Sequence, residues 1–120
     1  MRVLAVGDIV GKTGLQKLKD VLPYIIKENK IDFIIVNGEN AADGMGLTEK
    51  MFREIRGLNV DVVTMGNHTW GKKEIFNFID DKHIIRPANY PSNNPGRGYE
   101  FYECKGNTIA VINLIGRTSF

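Results

Sequence analysis

Three short polar clusters each follow an apolar run: Gly7-Asp8 after residues 3–6, Asn37-Gly38-Glu39-Asn40 after residues 33–36, and Gly66-Asn67-His68-Thr69-Trp70 after residues 60–65. Asp8 and Glu39 offer carboxylate oxygens, Asn40 and Asn67 neutral carbonyl oxygens, and His68 an imidazole. Two carboxylates drawn together without a cation repel each other, and one is driven to keep its proton; a metal ion is the simplest way to hold both ionised. The mixed oxygen and nitrogen donors suit Fe, Mn, Mg or Zn better than a thiolate-seeking ion. Taken singly the residues have plainer readings: Asp8 a helix cap or turn residue, the asparagines turn formers, His68 a hydrogen-bonded histidine. Their recurrence at successive strand ends favours a metal-centred site. The glycines before Asp8, Glu39 and Asn67 would let backbone and metal approach closely.

The stretch GDIVGKTG, residues 7–14, suggests a competing chemistry, because Gly-Lys-Thr is the end of a phosphate-binding P-loop. Three residues separate Gly7 from Gly11, one fewer than backbone N–H groups need to wrap a phosphate, and Asp8 is anionic where the phosphate would enter. A triphosphate switch would also leave Glu39, Asn40, Asn67 and His68 without a role.

The elements that must position these residues follow from hydrophobic period. Residues 2–6 predict a strand, and Leu15, Leu18, Leu22, Ile25 and Ile26 predict a helix over about 13–29, with Pro23 a place to kink or restart. Residues 32–36, DFIIV, read as a parallel strand covered on both faces. After the loop NAADGMG, Thr48 is placed to cap a helix that buries Met51, Phe52 and Ile55 and ends near Gly57; a third strand spans 60–65. Residues 71–79 predict a helix with Ile75, Phe76 and Ile79 on one side, and 83–85 a short strand. The segment 86–98, RPANYPSNNPGRG, is a loop, a structural tether or a substrate contact through Arg86, Asn89 or Tyr90. Strands over 99–104 and 108–114, joined at Lys105-Gly106-Asn107, predict a hairpin. The order βαβαβα then ββ indicates an α/β layer structure whose first three strands are parallel, and such sheets gather polar ligands beyond their carboxyl ends.

With 120 residues, the chain is sized for one domain; 42% hydrophobic and 25% charged residues are ordinary for a globular protein, and a net charge of +2 gives no basic footprint for nucleic acid. No run reaches the roughly 18 apolar residues of a membrane span, and the start lacks a signal-peptide core, so the expectation is a cytoplasmic protein without a membrane partner. Cys104 has no partner for an internal disulfide and reads as structural, as does His83, while the Asp80-Asp81 pair resembles a solvated helix end and the charges at Arg2, Lys17 and Lys19 a wet surface.

GDIVG, NGENAADGMG, GNHTW and RPANYP, in that order, resemble the motifs of the calcineurin-like metallophosphoesterases, and closely those of their YmdB-type branch of 2′,3′-cyclic-nucleotide phosphodiesterases. The broader superfamily has a histidine where Val10 stands, an aspartate where Glu39 stands, and an acid where Thr69 follows Gly-Asn-His; these departures are the branch's own. The resemblance implies a layered α/β sandwich, of which residues 1–120 would be the N-terminal part of a single domain, the βαβαβα-ββ half. It implies two divalent metal ions (Fe, Mn, Mg or Zn), with Asp8 on the first, Glu39 bridging, Asn67 on the second, and Asn40 a further ligand or phosphate contact. His68 would be the acid beside the scissile phosphate of a small phosphodiester or cyclic nucleotide, and the metals would activate a bridging water as nucleophile.

The resemblance also implies a later half that supplies further metal-binding histidines, whereas this sequence contains only His68 and His83. The expectation is a fragment or natural truncation, weakly active or inactive alone. An uncovered sheet face would then favour association of two copies. A non-catalytic module that keeps one metal or a phosphate is the competing expectation.

Overall fold

The computed structural model describes residues 1–118, so the last two residues of the span read as one domain lie outside it. Four strands, β1 (Val3–Val6), β2 (Phe33–Asn37), β3 (Val62–Thr64) and β4 (Ile84–Ile85), form one sheet in the order β1-β2-β3-β4. All neighbours are parallel, with Val6 opposite Val36, Asn37 opposite Thr64, and Thr64 opposite Ile85. The carboxyl ends of all four strands therefore reach the same edge.

Alternation along β2 divides the core. Ile34 and Val36, with Val63 and Ile84 from the next strands, point to one face. There they meet Leu15, Leu18 and Leu22 of α1 (Gly11–Asn29) and Phe52 and Ile55 of α2 (Glu49–Arg56). Phe33, Val62 and Ile85 point to the other face, against Tyr102 and Val111 of the antiparallel hairpin β5 (Tyr99–Cys104) and β6 (Asn107–Ile112). A central strand covered on both faces explains the unbroken apolar run. Cys104 is structural, its Sγ lying 3.4 Å from the Asp32 carbonyl.

Several local expectations hold. The Thr48 hydroxyl accepts from the Met51 N–H at 3.2 Å and caps α2. The hairpin turns through Lys105 and Gly106, both at positive φ (49° and 76°), as a tight primed turn requires. Others are corrected. α1 begins at Gly11 and runs unbroken past Pro23, which is exposed, so the carbonyl deprived of its helical donor lies toward water. The helix expected over 71–79 is a 3₁₀ helix, Lys73–Asn77. Its three-residue period puts Ile75 and Phe78 in the core and turns Phe76 outward, 56% exposed, to stack on Trp70 at 5.4 Å.

The 86–98 loop is ordered around Arg86, which is buried. Its guanidinium donates to the carbonyls of Pro95 (2.9 Å), Pro87 (2.9 Å) and Asn94 (3.1 Å), so Arg86 is a tether within the loop. His83 holds the Asp61 carbonyl through Nδ1 at 2.8 Å, and Asp81 accepts from the His83 N–H, which makes both structural. The outer face of the hairpin remains apolar and exposed at Tyr99, Phe101 and Ile112, as does Val3 on the edge strand; the expected self-association would draw on this surface. Among the described residues no helix is long and apolar enough to cross a membrane.

The hairpin contact carries a pH prediction. The Tyr102 hydroxyl donates to the Lys82 carbonyl at 2.6 Å, and burial, aided by the Glu100 charge, pushes its pKa from 10.0 up to about 12. The fold thus favours the neutral phenol. That contribution is complete below the unfolded value of 10.0 and is lost as pH rises through about 12. Thermal unfolding followed from pH 8 to pH 12 should show the midpoint falling across that window, and Tyr102→Phe should flatten the fall while lowering the midpoint at neutral pH through the lost hydrogen bond.

Candidate active site

Three consecutive strands deliver the polar residues, and the turns that follow them are fixed by their own backbone bonds. After β1, the Ile9 N–H donates to the Asn37 carbonyl at 3.2 Å and the Gly11 N–H to the Asn40 carbonyl at 3.0 Å, so the first turn of α1 is tied to the turn after β2. In that second turn, Gly44 N–H also donates to the Asn40 carbonyl (3.0 Å) and Ala42 N–H to the Gly46 carbonyl (2.9 Å). Positive φ at Asp43, Gly44 and Gly46 makes this closure feasible, and Ala41 and Ala42 are buried under it. The glycine-rich loop is therefore a rigid mount for Glu39 and Asn40.

The side chains join in a chain of hydrogen bonds. Asn40 Nδ2 donates to Asp8 Oδ1 at 2.7 Å, and Asn40 Oδ1 meets His68 Nδ1 in a close contact. Because a carboxylate only accepts, Asp8 fixes which way the Asn40 amide points; the amide oxygen then accepts from Nδ1–H, and Nε2 of His68 is left for other work. Glu39 sits on the other side of the same turn, with Oε1 accepting from Asn37 Nδ2 at 3.1 Å and Oε2 from the His68 backbone N–H at 3.2 Å. Hydrogen bonds thus link Asp8, Asn40 and His68 side chain to side chain, and Glu39 joins them through the His68 backbone. Asn67 lies next to His68 on the same turn, exposed at the sheet edge.

The three glycines expected to admit a metal have different duties. Gly66 lies under the Glu39 carboxylate, where a Cβ would stand 2.3 Å from Oε1 and 2.6 Å from Oε2. Gly38 instead makes room for the Val63 side chain, and Gly7 faces open space. The P-loop reading fails for a physical reason: Asp8 is engaged with Asn40 at the mouth of the turn, and the chain between Gly7 and Gly11 is bonded back to the second turn.

Residues without an obvious chemical signature complete the frame. The Tyr90 hydroxyl (3.0 Å) and the Thr69 hydroxyl (2.6 Å) both donate to the Gly66 carbonyl and pin the turn that carries His68. Burial raises the Tyr90 phenol above its ordinary value and the Glu39 charge adds to the rise, so the phenol remains a donor at neutral pH. Asn113 donates from one amide to the carbonyls of Met65 and Ile85, locking the ends of β3 and β4 together. Asn89 is occupied with the Ile115 backbone, at 2.7 and 3.0 Å. Of the three loop residues considered for substrate contact, only Tyr90 approaches the cluster, and RPANYP was the signal for it.

A divalent cation fits these residues. The carboxylates and amides are hard donors, Glu39 is cradled where a side chain on Gly66 would displace it, and the buried Asn37 Oδ1 beside Glu39 has no hydrogen-bond partner. Among the described residues no three His, Cys, Asp or Glu side chains gather as a metal-holding group, so amide oxygens are needed to complete the set. Three surface clefts of about 480, 540 and 450 Å³ are lined by other residues.

This fold also occurs in known proteins. The chain is 50% identical over 119 residues to the Bacillus subtilis protein named 2′,3′-cyclic-nucleotide 2′-phosphodiesterase, covering 98% of this chain and 45% of that one. A crystal structure of a hypothetical protein from Thermus thermophilus matches with a TM-score of 0.91 at 38% identity, over 98% of this chain and 46% of that one. A second, titled a novel phosphatase from Mycoplasma pneumoniae, matches with a TM-score of 0.88 at 33% identity, over 95% and 42%. The chain thus spans a little under half the length of the relatives it matches. The family described as YmdB-like protein matches residues 4–120, nearly the whole sequence, and the chain belongs to that family.

Proposed function

We propose that this chain carries part of the catalytic centre of a metal-dependent phosphodiesterase acting on small phosphodiesters, 2′,3′-cyclic nucleotides in particular. The observation that carries this reading is the Asp8–Asn40–His68 chain beside the cradled Glu39, at the ends of three adjacent parallel strands. The name of the Bacillus subtilis relative supports the substrate class. Asp8, Glu39, Asn40 and Asn67 would hold two divalent ions, Fe, Mn, Mg or Zn. When bound, such ions supply Lewis-acid stabilisation of phosphoryl oxygens and an activated water.

The chain's own residues do the rest. Asp8 orients the Asn40 amide, Asn40 orients the His68 ring, and Nε2 of a protonated His68 donates a proton to the leaving oxygen. Tyr90 and Thr69 hold the Gly66 carbonyl so that the His68 turn cannot swing away. The scarcity of strong donors among the described residues supports a second reading for the chain by itself, a module that retains a cation or phosphate with little turnover. Hydrolysis by these residues alone should therefore be slow.

The test is hydrolysis of 2′,3′-cyclic AMP with excess Mn²⁺, together with Mn²⁺ binding followed by electron paramagnetic resonance. Slow, Mn²⁺-dependent turnover that falls about a hundredfold in His68→Ala, with Mn²⁺ binding kept by that variant and lost in Asp8→Asn, is the expected result. Turnover indifferent to both substitutions would defeat the phosphodiesterase reading. Binding of Mn²⁺ with no turnover at all would favour the module.

A further inference from the structure

Asn37 closes β2, and the residues before it on the same face, Phe33 and Ile35, pack in the cluster beneath the hairpin. The alternation asks for a third apolar side chain there. Asparagine is instead a poor strand former whose amide is costly to bury. A residue that breaks the local pattern at the rim of a site points to function rather than folding.

The bonds of Asn37 reach all three strand-end turns. Its carbonyl accepts from the Ile9 N–H at 3.2 Å, its Nδ2 donates to Glu39 Oε1 at 3.1 Å, and Glu39 Oε2 accepts from the His68 N–H at 3.2 Å. This route runs beside the Asp8–Asn40–His68 chain and meets it only at His68. Because a carboxylate only accepts, Nδ2 is the end of the amide that faces Glu39, and Oδ1 is turned away. Oδ1 is buried and has no hydrogen-bond partner among the described residues. An unmatched buried acceptor is destabilising, and an apolar group of the same shape would avoid it. The orientation of the amide therefore serves Glu39 and not the local packing.

Glu39 needs such a partner. The terminal torsion of a glutamate is broad, so the plane of its carboxylate is set by whatever bonds to it. Of about four lone-pair sites on a carboxylate, Glu39 gives one on Oε1 to Asn37 and one on Oε2 to His68, and each oxygen keeps one for a cation. With the His68 bond alone the group would be free to turn. We propose that Asn37 is a positioning residue of the cation site, acting through Glu39: it holds the carboxylate plane so that both oxygens stay available to a divalent ion and the His68 turn stays tied to β2. The proposal rests on the reading of Glu39 as a cation ligand.

The test uses the full chain with Asn37→Leu, similar in volume, and with Asn37→Ser, too short to reach Oε1; native amide protection in β2 and β3 certifies the fold of each. Mn²⁺ binding is followed by electron paramagnetic resonance, and exchange of the His68 amide is followed by NMR in excess chelator. Both variants should bind Mn²⁺ at least about tenfold more weakly, as loss of a supporting contact at a metal site typically gives. Their His68 amide should exchange at least about tenfold faster, the scale of a lost hydrogen bond to a charged group, while β2 and β3 stay protected. The first readout needs a cation and the second does not. A wild-type chain that binds no Mn²⁺ removes the cation reading and this proposal with it. Wild-type Mn²⁺ affinity in a folded variant, or unchanged His68 exchange, overturns the role of Asn37 and leaves the cation reading in place. Failure of both variants to fold would make Asn37 a residue of the fold and overturn it as well.

Discussion

Gly66→Ala should strip the candidate site of its Glu39 carboxylate while leaving the fold standing. A methyl group there would lie 2.3 Å from Oε1, 2.6 Å from Oε2 and 2.7 Å from Cδ of Glu39, and the three nearest atoms all belong to the end of that one side chain. The carboxylate can leave; the backbone need not move. Leaving breaks its bonds from Asn37 and from the His68 N–H, so the turn that bears Asn67 and His68 keeps only the Asn40 contact of its two ties to the turn after β2. Mn²⁺ binding measured by titration calorimetry should weaken by at least about tenfold, as supporting contacts at metal sites typically require. Circular dichroism should show the native secondary structure with a modest fall in thermal midpoint. Wild-type Mn²⁺ affinity in a folded Gly66→Ala chain would show that Glu39 takes no part in holding a cation.

The largest effect on stability should come from Gly98→Ala, at a residue with no role in the chemistry. Its added Cβ would stand 2.2 Å from Ala88 Cα, 2.5 Å from Ala88 Cβ and 2.7 Å from Ala88 N, so the atoms that would have to move are mainly backbone. Around it the loop is closed by Ala88 N–H to the Asn113 carbonyl at 2.7 Å and Asn113 N–H to the Gly98 carbonyl at 3.0 Å. Asn113 in turn holds the carbonyls of Met65 and Ile85. Forcing Gly98 from Ala88 therefore pulls on the ends of β3 and β4. Overpacking costs typically about 1–3 kcal/mol, and a clash with backbone should reach at least about 3 kcal/mol, lowering the thermal midpoint by roughly 10 °C or more. Gly7→Ala, at a position with nothing within 4 Å, is the control and should unfold within a few degrees of the wild type. A Gly98→Ala midpoint equal to that control would mean that the loop and the sheet are not mechanically joined through Asn113.

Much of this was legible from residue order. Strands β1 to β4 and the hairpin came from runs and alternation, and the cap at Thr48 came from its place before an apolar helical period, because these features depend on neighbours a few residues away. The candidate residues Asp8, Glu39, Asn40, Asn67 and His68 came from residue type at strand ends, since a parallel sheet must bring those ends to one edge. The errors have the same origin. At residues 71–79 the apolar spacing could not tell a 3₁₀ from an α period, and the packing of Phe78 beneath and Trp70 above decided that Phe76 faces outward.

What the amino-acid order settled by itself was where the strands and the two α-helices form and which polar residue types stand at the strand ends. The tertiary structure alone decided the partners: Asn40 between Asp8 and His68, Glu39 over Gly66, Tyr90 reaching Gly66 across 24 positions, and Asn113 reaching Met65 across 48. Periodicity reports the face on which a side chain lies, whereas a hydrogen bond between distant segments depends on sheet register and loop closure, and no short window of sequence contains either.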